Sequence, residues 1–306
     1  MTGPDTTQHC NRLARARCSE LECFQHLTSH FPAAVCYDAR MRRPFALLLA
    51  LLWAGVSLQA TREDLARARA FFNDRKYDQA IQAAEAARKT PETADAAAIV
   101  LARAYIERYR QAADPADLGA ARAALGSASP ERLTTPDRAE YLIALGGSLF
   151  LEDDFGAAAE IFESALEIAP AAGEHAREAV LDWYGSAMER WAAPYITSRR
   201  AAMLQRLVTR MEIEQAKNPS SRAASYWLVA GLRAQGDTDR AWQAAIAAWA
   251  RAPLAGVRSI ALRADIDRLV REGLIPDRGR EAPDADRIAR ETALRAEWEL
   301  VKQKWK

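Results

Sequence analysis

Residues 142–170 read LIALGGSLFLEDDFGAAAEIFESALEIAP. Small and apolar landmarks fall at Gly146, Leu149, Ala158, Phe162, Ala165 and Pro170, separated by 3, 9, 4, 3 and 5 residues. Steps of three and four keep side chains on one face of an α-helix. The step of nine spans a tight turn at Asp153-Asp154, so the stretch predicts two antiparallel helices. Small side chains on the facing surfaces let such helices approach to about 8–10 Å. Pro170 cannot continue the second helix and opens the next connection.

The same steps recur elsewhere. Val229, Leu232, Ala241, Ala245, Ala248 and Pro253 repeat 3, 9, 4, 3 and 5, with Gly236-Asp237 at the turn. Ala68, Phe71, Ala80, Ala84, Ala87 and Pro91 give 3, 9, 4, 3 and 4, with Asn73-Asp74 at the turn. A helical hairpin of this kind has an apolar side and is stable only when stacked on neighbours. Two further units are irregular. Residues 93–130 carry Ala102 and Tyr105, then Ala121, Leu125, Ala128 and Pro130, with a central step of 16 that places about seven extra residues around Asp114-Pro115. Residues 173–220 predict a helix near 174–191 and a long amphipathic helix near 195–217, ending at Asn218-Pro219.

These landmarks resemble the tetratricopeptide repeat family, which places a small residue and an aromatic on a first helix, then Ala, a bulky residue and Ala on a second, with Pro closing a unit of 34 residues. Residues 139–172 match well; residues 61–92 and 222–254 match with Ala84 and Ala245 in place of the bulky member. The resemblance implies an all-α fold, an α-solenoid of helical hairpins over 61–255, closed by C-terminal capping helices in 256–306. In that family the first helices line a concave wall that holds a protein or peptide partner. Carried onto this sequence, the wall presents Leu65, Arg69, Phe72 and Asn73, then Arg103 and Ile106, then Ile143 and Phe150, then Tyr226 and Arg233. Guanidinium and aromatic groups together suit an extended peptide with acidic and apolar side chains. Leu65 and Arg69 stand where some family members carry the Lys/Asn set that clamps a C-terminal carboxylate, so that ligand mode is not expected.

In the last fifty residues, 256–273 predict a helix with Ile260, Leu262, Ile266, Leu269 and Val270 on one face, broken at Leu274-Ile275-Pro276. Residues 284–305 predict a charged amphipathic helix with Ile288, Leu294, Trp298, Val301 and Trp305 on its apolar side, as a terminal cap. The Lys302, Lys304 and Lys306 end offers a modest attraction to a membrane surface.

Upstream of the repeats, residues 41–60 read MRRPFALLLALLWAGVSLQA. Arg42 and Arg43 precede an apolar run from Phe45 to about Val56, and small residues end at Ala60, the pattern of a secretory signal cut after Ala60. The run is short for the ~30 Å hydrocarbon layer; the alternative is an uncleaved anchor over 45–60. The expectation is therefore an exported protein, periplasmic or secreted, without a stable membrane span after cleavage. Residues 1–40 hold all four cysteines and three of the four histidines. His26 and His30 stand at H-x3-H spacing, but no C-x2-C pair accompanies them, and the group precedes the signal pattern. The reading is an upstream extension, disordered, with translation beginning at Met41.

Half of the residues are hydrophobic, and Ala and Leu dominate, which favours helix throughout. Forty-two basic residues against 41 acidic ones, interspersed along helices, leave no basic field for nucleic acid. No Gly-rich phosphate loop, G-x-S-x-G elbow or H-E-x-x-H pair occurs, and no twelve-residue calcium loop. His175 is the single histidine beyond residue 60, so a hydrolase with an unrecognised site, the least favoured reading, would have to use it as base. The expectation is a binding scaffold, not an enzyme, with no cofactor and no metal. Trp183, Trp191, Trp227, Trp242, Trp249, Trp298 and Trp305 all lie beyond residue 180. They read first as fillers between alanine-rich helices; the alternative makes them the interface of an accessory subunit in a cell-envelope complex.

Overall fold

The computed structural model describes residues 62–306 except 174 and 197. The readings of residues 1–40 and 41–60 fall outside the described residues. Within them the chain is all helical, and no strand occurs. A first helix, α1, covers 62–73. It is followed by α2 (Tyr77–Ala87), α3 (Pro91–Ala112), α4 (Pro115–Ser127), α5 (Thr135–Leu151) and α6 (Phe155–Ile168). Then come α7 (Ala176–Ala192), α8 (Ser198–Lys217), α9 (Arg222–Gln235), α10 (Thr238–Arg251), α11 (Ser259–Leu269), α12 (Ile275–Gly279) and α13 (Arg287–Lys304). No helix of the described residues is long and apolar enough to cross a membrane.

The recurring step of nine has one backbone geometry. Arg75, Asp153 and Gly236 stand five residues before the landmarks Ala80, Ala158 and Ala241 of the second helix, and adopt left-handed φ of 61°, 62° and 85°. The amide after each donates back to the last landmark of the first helix: Lys76 to Phe71 O at 2.9 Å, Asp154 to Leu149 O at 3.0 Å, Asp237 to Leu232 O at 3.1 Å. The left-handed residue donates to the carbonyl three before it, which completes a Schellman ending in all three hairpins. Asp154 and Asp237 then cap the second helix, accepting from Ala157 N at 3.3 Å and Arg240 N at 3.1 Å.

The irregular unit departs from the expected insertion. Its extra residues do not form a loop around Asp114-Pro115; they lengthen α3 to 22 residues, with a turn of only Ala113 and Asp114. Seven residues are two helical turns, so the added length keeps its face. Ala113 is left-handed here, and Asp114 caps α4 through Ala116 N at 3.0 Å.

Each helix from α2 to α11 packs on the next or is joined to it through a short 3-10 turn. In addition α3 meets α5, α5 meets α7, α7 meets α9 and α9 meets α11. Among the described residues the even helices α4, α6, α8 and α10 have no comparable contact with one another. Two apolar clusters result. One joins Ala68, Ala80, Val100, Leu101, Leu125 and Ala144; the larger runs from Phe150 to Trp298. Leu151 packs against both. Glycines set the closest approaches. A Cβ on Gly146 of α5 would stand 2.6 Å from the Phe162 ring of α6, and one on Gly185 of α7 would overlap the Trp227 indole of α9.

The C-terminal helices differ from the expectation in two ways. The chain does not break at Pro276. A π-turn over Val270–Leu274 carries the axis on into α12, with Leu274 and Ile275 fully buried. A widened turn relieves the clash between a proline ring and the carbonyl four residues earlier. Ile260, Ile288 and Trp305 are not on the buried faces: they are exposed, and Leu294 and Trp298 anchor α13 instead. Trp298 Nε1 donates to Asp267 Oδ1 at 2.8 Å, and Lys302 Nζ lies 3.0 Å from the same oxygen.

Two predictions follow from these contacts. Gly185→Ala drives a methyl into the Trp227 ring and should cost about 1–3 kcal/mol in thermal unfolding; an unchanged melting temperature would deny the close crossing of α7 and α9. Burial pushes the Asp267 carboxyl up, but Trp298 and Lys302 outweigh it, and its pKa lies below the ordinary 3.8. A depressed carboxylate contributes stability that is complete above its unfolded pKa and is lost as pH falls through the folded one. Hydrogen exchange in α13 should therefore quicken below the ordinary aspartate range, and Asp267→Asn should flatten that pH dependence.

Candidate functional site

The ten wall residues divide into three groups. Phe72, Asn73 and Arg103 come together at an open cleft of about 560 Å³, which Arg75, Tyr77, Glu107, Arg110 and Gln111 complete. The last turn of α1, the α1–α2 turn, the first residue of α2 and the C-terminal half of α3 supply these groups. The guanidinium of Arg103 lies 4.2 Å from the centre of the Phe72 ring, and the Tyr77 ring is tilted against Phe72 with centroids 5.8 Å apart. Arg103 also meets Glu140 of α5 at 2.7 Å, so α1, α3 and α5 are tied through one side chain. Arg69 reaches Asp137 at the start of α5 and strengthens the same tie. Leu65 is half-buried against the smaller apolar cluster.

Tyr226 and Arg233 form a second cleft, about 230 Å³, with Asp265, Arg268, Leu269, Glu272 and Gly273. Arg233 Nε donates to Asp277 Oδ2 at 2.6 Å. Gly273 makes room for it, because a Cβ there would stand 2.7 Å from the guanidinium carbon. Burial pushes the Tyr226 hydroxyl above its ordinary value, so it is a neutral donor at physiological pH.

Ile106 and Phe150 are not wall residues. They are 6% and 8% exposed and belong to the core. Ile106 shares the face of Arg103, Glu107 and Arg110 by spacing but lies at its edge, where it packs into the smaller apolar cluster. Phe150 is edge-on to Trp183 at 4.9 Å and to Phe155 at 5.2 Å, with the Arg190 guanidinium above it at 4.9 Å. Ile143 is half-buried against the larger cluster.

Sequence reasoning passed over Arg75, Glu107, Arg110 and Gln111. The spacing of Arg103, Glu107 and Arg110 at i, i+4 and i+7 was a sufficient signal, but the assumed insertion hid it. Arg268 and Glu272 lie within the predicted helix over 256–273, of which only the apolar face entered the reading.

The tryptophans sit mostly inside. Trp227, Trp242 and Trp298 are buried, Trp183, Trp191 and Trp249 are half-buried against the core, and only Trp305 stands well exposed. Trp242 Nε1 donates to Glu297 Oε1 at 3.0 Å and Trp227 Nε1 to Asp182 Oδ1 at 3.2 Å. His175 stands at the N-terminal boundary of α7. No cluster of three metal-ligating side chains occurs among the described residues.

The clefts are lined by guanidinium, carboxylate, amide and aromatic groups, suited to holding a polar chain by its side chains. A scan against protein-family models returns no match. Searches of curated proteins and of solved structures return none either. The tetratricopeptide resemblance thus stands on the spacing of the landmarks in the chain itself.

Proposed function

We propose that the protein is an exported, tetratricopeptide-like α-solenoid that binds an extended peptide rich in acidic and apolar side chains along the row of odd-numbered helices. One observation carries the reading: at the α1–α3 cleft a guanidinium lies on an aromatic ring beside two further arginines, in an open trough of about 560 Å³. Such a surface offers a carboxylate guanidinium donors and offers an apolar side chain the edges of the Phe72 and Tyr77 rings. The three Schellman turns at repeat spacing and the contacts of odd helices with odd helices support the stacked arrangement. The export reading comes from residues 41–60 alone. The accessory-subunit reading has less to rest on, because six of the seven tryptophans beyond residue 180 are spent on the interior.

The test is fluorescence polarisation with labelled decapeptides alternating Glu with Leu or Phe, against the same peptides with Lys for Glu. The acidic peptide should bind and the basic one should not. Arg75→Glu with Arg110→Glu should weaken the acidic peptide by about tenfold at ~0.15 M salt. Glu140→Gln, which frees Arg103, should tighten it. Equal binding of acidic and basic peptides, or a double variant with native melting temperature and native affinity, would remove the proposal.

A further inference from the structure

Leu254, Val257 and Ile260 stand 63%, 97% and 81% exposed within seven residues of chain. Ile196, Ile213 and Ile288, also exposed, stand far from one another in sequence, as isolated apolar residues on soluble surfaces often do. The cluster has a backbone cause. Between α10 and α11 the 3-10 segment Ala252–Arg258 is interrupted at Gly256, with φ 58° and ψ −127°, a conformation that a side chain resists. The break leaves Leu254 and Val257 projecting, and Ile260 continues the apolar tip on the first turn of α11.

The surroundings are cationic. Residues 251–264 contain Arg251, Arg258 and Arg263 and no carboxylate; residues 300–306 contain Lys302, Lys304 and Lys306 and no carboxylate side chain. The two stretches meet. Arg263, one turn beyond Ile260, donates from Nη2 to the Trp305 carbonyl at 2.6 Å. Trp305 is 45% exposed, and Lys304 Nζ lies 5.6 Å from its ring centre. Lys302 is held by Asp267 and Glu299, which leaves the exposed Lys304 and Lys306 and the half-buried Arg258 as the cations of this end.

We propose that this end of the molecule docks on an anionic bilayer surface. Leu254, Val257 and Ile260 enter the boundary between headgroups and acyl chains, Trp305 lies at headgroup depth, and Arg258, Lys304 and Lys306 meet lipid anions. Projecting aliphatic side chains, an amphipathic indole and a basic rim are the chemistry that a charged interface rewards. A second copy of the chain suits the patch less, since it would bring the same cations against themselves. Residues 1–61 suit it less too, with six arginines against four carboxylates.

The experiment is hydrogen exchange on the full chain, with vesicles of phosphatidylcholine alone or mixed with phosphatidylglycerol. The peptides covering 252–262 and 300–306 should exchange several-fold more slowly with the mixed vesicles only, and raised salt should remove the effect. Leu254→Ser with Val257→Ser and Ile260→Ser should abolish that protection, as should Arg258→Glu with Lys304→Glu and Lys306→Glu. Reading these segments separates their docking from any binding by the apolar run of residues 45–56. Unchanged exchange in them, even when the chain floats with the vesicles, would overturn the proposal. So would protection that grows with protein concentration and needs no lipid, which would assign the patch to a second copy.

Discussion

The closeness of neighbouring helices is the constraint on which the rest depends. Alanine and glycine line the contacts. Ala80, Ala84, Ala87, Ala158, Ala165, Ala241, Ala245 and Ala248 are fully buried, and Gly146 and Gly185 receive the faces of Phe162 and Trp227. A large ring set against a residue with no side chain packs densely without widening the spacing between axes. The cost of that arrangement is low tolerance. Where alanine meets alanine, each contact contributes little hydrophobic area, so a few aromatic residues carry a disproportionate part of the burial. Trp298 and Tyr184, both with negligible exposure, are the largest such pieces.

Polar ties supplement this thin apolar mortar. Glu214 is buried and receives Arg177 in a two-point contact, Nε at 2.9 Å and Nη2 at 2.8 Å, so α7 and α8 are locked in register. Arg103, Arg69 and Arg222 tie further pairs of helices. Most of these cations and carboxylates read in the sequence as an interspersed solvated face. In the fold they are cross-links between elements 30 to 70 residues apart, which no local pattern announces.

Much of the architecture was nonetheless legible. The steps of 3, 9 and 4 located three hairpins because they encode a turn geometry: a left-handed residue at a fixed offset, followed by a capping aspartate in two of the three cases. Legibility failed where a helix was longer than the motif. In α3 the extra turns looked like a loop, since a step of 16 carries no information about which side of Asp114 it extends. At Pro276 the proline rule gave way to a π-turn, and Leu274 and Ile275 at its end are buried. For the candidate surface, Phe72, Arg103, Tyr226 and Arg233 stand at clefts, whereas Ile106 and Phe150, placed on the wall by the family resemblance, are buried. Phase could not resolve which face the added turns of α3 would bury.

The division of the interior into two apolar clusters has a thermodynamic consequence. The buried members that α1 and α2 give the smaller one are Ala68, Ala80, Ile81 and Ala84, while Val100, Leu101, Ile106 and Leu125 stand on α3 and α4. Opening α1 and α2 therefore exposes little apolar area and is among the less costly partial unfoldings of the chain. The trough around Phe72 is mounted on those helices. Whatever occupies it would also hold α1 and α2 against α3, so occupancy and local order there share one free-energy balance.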